Sequence, residues 1–151
     1  MQNNQQVFLE LVKAGLWEKD SRISQFGKID FEEVYRLAEE QAVVGLVAAG
    51  LEHVVDVKPL QDILLLFIGT ALQLEQQNKE MNAFLAELVE QMREKEIYAL
   101  LVKGQGIAQC YERPLWRASG DIDLFLSKSN YKKAEIHLKS KGYEYGEIDY
   151  Y

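Results

Sequence analysis

Asp121 and Asp123 are the residues whose type and spacing come nearest to a reaction. They flank Ile122 in Asp121-Ile122-Asp123-Leu124-Phe125-Leu126, a run that reads as a β-strand. Side chains at i and i+2 of a strand share a face, with Cα atoms ~6.5–7 Å apart, while Ile122 and Leu124 turn the other way into a core. Two carboxylates on one face cannot both stay charged and close without a cation between them. Oxygen-only ligands suit Mg²⁺ or Mn²⁺, which bind through one or two carboxylates plus substrate phosphates. A pair of such ions ~3.5–4 Å apart can clamp the attacking and leaving oxygens of a phosphoryl displacement. Paired acids also occur on solvated edge strands, so the pair alone leaves both readings open.

Its surroundings favour the first. An apolar run ends in Lys103-Gly104, a short helix follows, and an arginine-bearing loop leads into Ser119-Gly120. Glycines at 104 and 120 leave room for phosphates to approach the backbone. Together, Val102-Lys103-Gly104, Tyr111, Arg117 and Ser119-Gly120-Asp121-Ile122-Asp123-Leu124 resemble the polymerase-beta-type nucleotidyltransferases. The likeness is nearest to a bacterial group described as uncharacterised nucleotidyltransferases, and the preceding helical stretch looks like that group's N-terminal region.

The resemblance implies that Asp121 and Asp123 ligate catalytic Mg²⁺ or Mn²⁺. A nucleoside monophosphate would then pass from a nucleoside triphosphate to an acceptor hydroxyl. It places Gly104 at the turn that cradles nucleotide phosphates, with Gln105 where the wider superfamily has serine. Lys103 then either supplies charge to the phosphates or caps the sheet edge. Arg117 pairs with phosphates or braces the aspartates in a salt bridge, and Ser119 caps its loop or donates to a phosphate. The superfamily's third carboxylate has no clear match. Glu147 and Asp149 follow a third strand beginning at Tyr143 too closely, and the expectation is a truncated core that ends before the strand bearing that acid. The rival readings are a non-catalytic nucleotide- or metal-binding relative and a helical scaffold for protein contacts.

The elements that must position these groups are expected to be α+β: a helical subdomain over 1–95 and a partial nucleotidyltransferase core with a small mixed sheet over 96–151. Val7, Phe8, Leu11, Val12 and Leu16 recur at helical spacing. Asp30 is an N-cap for a helix burying Phe31, Val34, Tyr35 and Leu37 or Ala38. Val43 to Leu51 is a buried helix, and Pro59 sits in the first turn of the next one. There Leu60, Leu64, Phe67, Ala71, Leu74, Asn78, Met81, Leu85, Leu88 and Met92 alternate steps of four and three, with Asn78 the only polar member. That face backs the chain's own core or, as the alternative, self-associates. Ile97 to Val102 and Asp121 to Leu126 are strands, and Gln105 to Tyr111 forms a helical turn or two. Ser129 caps a helix from Tyr131 to Lys141 that Gly142 closes.

The 151 residues, 48% hydrophobic and 27% charged, suit a packed domain. A net charge of -7 argues against a nucleic-acid backbone as partner, so a small molecule or a protein is the expected acceptor. The single Cys110 excludes an internal disulfide and reads as core. Met1 to Gln6 lack the features of a signal peptide, and the apolar run from Ile63 to Leu72 is about half the ~20 residues a membrane helix needs. A soluble cytoplasmic protein is the expectation. His53 and His137 read as surface residues, Trp17 and Trp116 as packing groups, and Lys128, Lys132, Lys133, Lys139 and Lys141 as a solvated helix face.

Overall fold

Three helices at the N-terminus pack where the apolar periodicity places them. A computed structural model describes residues 2–143, with α1 at Gln2–Trp17, α2 at Phe31–Glu40, α3 at Val44–Glu52 and a long α4 at Gln61–Glu94. The Asp30 carboxylate accepts from the backbone N–H groups of Glu32 and Glu33 at 3.1 and 3.2 Å, the N-cap its sequence position requires. After α4 come β1 (Ala99–Val102), the five-residue α5 (Gly104–Ala108), β2 (Asp123–Leu126) and α6 (Lys128–Ser140).

The strands pair antiparallel, Ala99 opposite Leu126 and Val102 opposite Asp123. The architecture is the expected α+β, with a long helix behind a small sheet. Among the described residues that sheet is an antiparallel pair rather than a mixed one. Tyr143 lies outside any strand, and the rest of the expected third strand falls beyond the described residues.

α1 and α3 meet with almost nothing between their backbones. A methyl group added at Gly15 would collide with the Leu46 carbonyl, and one added at Gly50 with the Leu11 carbonyl. Neither obstacle is a flexible side chain, so the helices would have to separate. Gly50→Ala is therefore expected to destabilise by about 1–3 kcal/mol, read from urea unfolding. Gly69 in α4 has nothing within 4 Å of its would-be Cβ. There Gly69→Ala should stabilise by about 0.5–1 kcal/mol, the gain in helix propensity alone. Equal effects at the two sites would contradict this packing.

α4 serves two cores. Its first half puts Phe67 and Ala71 among Val7, Leu11, Val34, Val47 and Leu51; its second puts Leu88 and Met92 against Ile97, Ala134, Leu124 and Leu126. The heptad face thus packs on the chain's own elements over most of its length. Tyr35 meets Phe67 edge-on at 5.0 Å, and its hydroxyl shares a 2.9 Å hydrogen bond with Thr70 Oγ1. Leu60 departs from the pattern: it is the N-cap of α4 and 77% exposed, with Pro59 just before it rather than inside the first turn.

Other differences have local causes. Ser127, not Ser129, caps α6, accepting from the Asn130 N–H at 3.4 Å, and the helix starts earlier for that reason. Gly142 has φ +74°, the left-handed stop expected after α6. Cys110 is exposed because α5 ends at Ala108, leaving it in a turn. Trp17 is 58% exposed at the end of α1, whereas Trp116 packs on the first core. His53 is half-buried, its Nε2 3.7 Å from Glu18.

His137 is buried, not solvated, and its Nε2 has no hydrogen-bond partner among the described residues. Burial, then the charges of Lys95 and Lys141, push its pKa down. The folded state thus takes up this proton less readily than the unfolded chain, so its stabilising effect is complete above the unfolded value of ~6.5 and is lost as pH falls below it. The urea midpoint should drop between pH 7.5 and pH 5, and His137→Gln should flatten that dependence. An unchanged slope in the variant would remove His137 as the cause. No helix among the described residues is long and apolar enough to cross a membrane.

Candidate functional site

The turn from β1 into α5 is strained where it meets the second strand. Lys103 has φ 51° and ψ −146°, a positive φ that costs a residue with a Cβ on the order of 1–3 kcal/mol. Gly104 follows at φ +26°, and a Cβ there would stand 3.0 Å from Ser119 Oγ and 3.2 Å from the Asp121 carbonyl. Glycine is needed both for the conformation and for this approach. Segments far apart in sequence are thereby pressed together at Gly104, Ser119 and Asp121.

A buried amide pair holds them. Asn78, on α4 and only 2% exposed, donates to the carbonyls of Leu115 and Arg117, both at 2.8 Å. Its Oδ1 accepts from Gln105 Nε2 at 2.8 Å, and Gln105 is itself buried. Gln105 is therefore a structural anchor, tying α5 to α4. Arg117 supports the same junction from its other side. Its Nη1 donates to the carbonyls of Gly104 and Ala118 at 3.2 Å each, and its guanidinium lies 6.0 Å from the Tyr111 ring centroid. No ion pair joins Arg117 to either aspartate among the described residues. It lines a separate cavity of ≈ 230 Å³ with Tyr111, Arg113 and Trp116.

That loop is also fastened to the helical half. Arg113 pairs with both Glu52 oxygens at 2.8 Å and with Glu18 at 2.7 Å, and lies 4.7 Å from the Trp116 ring centroid. Its hydrogen bonds and charge hold the Glu52 carboxyl below the usual carboxylate range. Trp116 Nε1 donates to Glu75 at 2.9 Å.

Asp123 is the first residue of β2, while Asp121 is exposed and precedes the strand. Strand alternation therefore does not by itself align the two. Both line one cleft of ≈ 1130 Å³, together with Ser119, Gly120, Ile122 and Leu124. Leu124 also packs into the second core as expected. Lys103 Nζ stands 3.7 Å from Asp123 Oδ1 and is 74% exposed, so it brings positive charge to the mouth of the site. The Ser119 hydroxyl is buried at the cleft wall with no hydrogen-bond partner among the described residues. A buried hydroxyl without a partner is costly unless something else satisfies it.

The carboxylates fit a divalent ion completed by phosphate oxygens, since Mg²⁺ commonly takes one or two carboxylates and substrate for the rest. Among the described residues no third ligand joins them into a cluster of three. Glu147 and Asp149 lie outside the described residues. Sequence reasoning singled out Asn78 as an oddity without seeing its role. It missed Gln105 as an anchor and Glu80 as a wall of the cleft. Gln77, Glu80 and Phe84 line the cleft beside the heptad members Met81 and Leu88, and their three- and four-residue spacing is hidden by the stronger heptad next to it.

A family model described as "Uncharacterised nucleotidyltransferase" matches residues 27–151. No curated protein and no solved structure matches the chain.

Proposed function

The chain belongs to the uncharacterised nucleotidyltransferase family, and from that membership we propose that Asp121 and Asp123 hold divalent metal for a nucleoside triphosphate whose nucleoside monophosphate passes to an acceptor hydroxyl. The observation that carries this reading is the convergence of both carboxylates, the unpartnered Ser119 hydroxyl and Gly120 on a single open cleft. Asp121 and Asp123 would be the metal ligands. Mg²⁺ or Mn²⁺ bound there supplies charge neutralisation for the triphosphate and its leaving pyrophosphate.

The chain's own groups do the positioning. Lys103 offers a cation beside Asp123, the Ser119 hydroxyl can donate to a phosphate oxygen, and Gly120, with open space about its Cα, lets phosphate approach the backbone. Gly104 and Arg117 act one step behind, Arg117 holding the Gly104 carbonyl and Gly104 admitting Ser119. In the transfer the acceptor oxygen bonds to the α-phosphorus, the bridging bond to the β-phosphate breaks, pyrophosphate leaves and the hydroxyl proton passes to solvent.

Titration calorimetry with ATP and Mg²⁺ tests the reading. Binding that needs the metal and disappears in Asp121→Ala/Asp123→Ala is expected. Metal-independent binding, or none in the unaltered protein, would overturn it.

A further inference from the structure

We propose that the ≈ 230 Å³ cavity between α1, α3 and the loop before β2 is a second binding site, for a small carboxylate with an apolar body, and that Arg117 holds it. The cavity is separate from the cleft that Asp121 and Asp123 line, and the transfer described above makes no use of it. Two guanidinium groups line it, in different circumstances. Arg113 is fully engaged, its Nε, Nη1 and Nη2 all donating to the carboxylates of Glu18 and Glu52.

Arg117 is half-buried and has no carboxylate partner among the described residues. Its Nη1 is occupied by the carbonyls of Gly104 and Ala118, which orients the group. The other edge, Nε–H beside an Nη2–H, makes no hydrogen bond among the described residues. That edge is the planar two-donor fork that matches the two oxygens of a carboxylate. A half-buried cation without a counter-ion is destabilising, and a bound anion relieves it. The rest of the wall says what the anion carries. Val43, Leu46 and Ala49, with the rings of Tyr111 and Trp116, offer mainly apolar surface. An apolar cavity of about 150 Å³ holds benzene, so this one has room for a single ring bearing a carboxylate. A phosphate monoester fits less well. Its extra oxygen and charge meet no further unpaired cation in the wall among the described residues, and the exposed Glu112 stands at the rim.

Benzoate and benzamide make the test, being of one shape and differing by a negative charge, with phenyl phosphate as the phosphate arm. In amide-detected NMR titrations without nucleotide, benzoate should bind about tenfold tighter than benzamide and shift the signals of Leu46, Tyr111 and Arg117. Phenyl phosphate should bind more weakly than benzoate. Arg117→Gln should bring benzoate and benzamide within about twofold of each other. Leu46→Phe leaves every donor in place and fills the cavity from its apolar wall, so it should abolish binding of both. The same spectra report whether each variant is folded. Asp121→Ala/Asp123→Ala should bind benzoate as the unaltered protein does, which keeps the result independent of the transfer reading.

No binding, or equal affinities for benzoate and benzamide, would overturn the proposal, as would benzoate binding that folded Arg117→Gln and Leu46→Phe leave unchanged. Tighter binding of phenyl phosphate would overturn the carboxylate assignment. Binding that appears only in Glu112→Gln would mean that Glu112 fills the fork itself, and the cavity would then be no ligand site. Loss of benzoate binding in the double aspartate variant would place the ligand in the cleft instead.

Discussion

Replacing Asp121 and Asp123 together by asparagine is expected to lower nucleotide-dependent pyrophosphate release by about a thousandfold or more, with the fold intact. Asparagine preserves size and hydrogen bonding but removes both negative charges, and electrostatic stabilisation of a transferring phosphoryl group is worth several kcal/mol. The folded state loses little. Asp121 is exposed, and the ion partner of Asp123 is a lysine that is itself 74% exposed. Pairs of that kind contribute less than about 1 kcal/mol, so the urea midpoint should move by no more than that implies. A large loss of stability would give the aspartates a structural role. Unchanged release would place the chemistry elsewhere.

Asn78→Leu should be the most damaging single substitution in α4. The leucine fits the heptad in shape, yet it strips the carbonyls of Leu115 and Arg117 of their donor and leaves buried Gln105 Nε2 without the Asn78 oxygen. Each buried polar group left unsatisfied costs about 1–3 kcal/mol, so a total of about 3–5 kcal/mol is expected in urea unfolding. Because Asn78 and Gln105 bond to each other, their losses should not add. A double-mutant cycle with Gln105→Leu should return a coupling of about 1–2 kcal/mol. Additive effects would mean that the amide pair does not work as a unit. The same variant should weaken ATP–Mg²⁺ binding before it unfolds, since the segment Asn78 holds runs directly into Ser119 and Asp121.

Much of this architecture is legible in the sequence because it follows from periodicity. Phe67, Ala71, Leu85, Leu88 and Met92 lie buried where the heptad puts them, and Asp30 caps α2 where a short acceptor precedes an apolar run. Asp121 shows where periodicity stops being informative. The Asp-Ile-Asp spacing fits a strand, but pairing with β1 begins only at Val102–Asp123, so Asp121 is placed by its loop instead. Arg117 shows a second limit. Its charge suggests a phosphate or carboxylate partner, while its position gives it the carbonyls of Gly104 and Ala118. His137 shows a third: a helix carrying five lysines along or beside it reads as solvated, while the fold buries His137 and brings the charge of Lys95 within reach of it. Long-range contacts of this kind leave no local pattern in the chain.

Mn²⁺ in the presence of ATP offers the most direct test of the central claim, because its paramagnetism broadens NMR signals only near where it binds. Substoichiometric Mn²⁺–ATP should erase the amide signals of Ser119 to Leu124 and of Lys103 and Gly104 first, leaving those of α1 to α3 sharp, and Asp121→Asn/Asp123→Asn should abolish the effect. Broadening centred elsewhere, or persisting in the double variant, would contradict a metal–nucleotide site built on these two carboxylates.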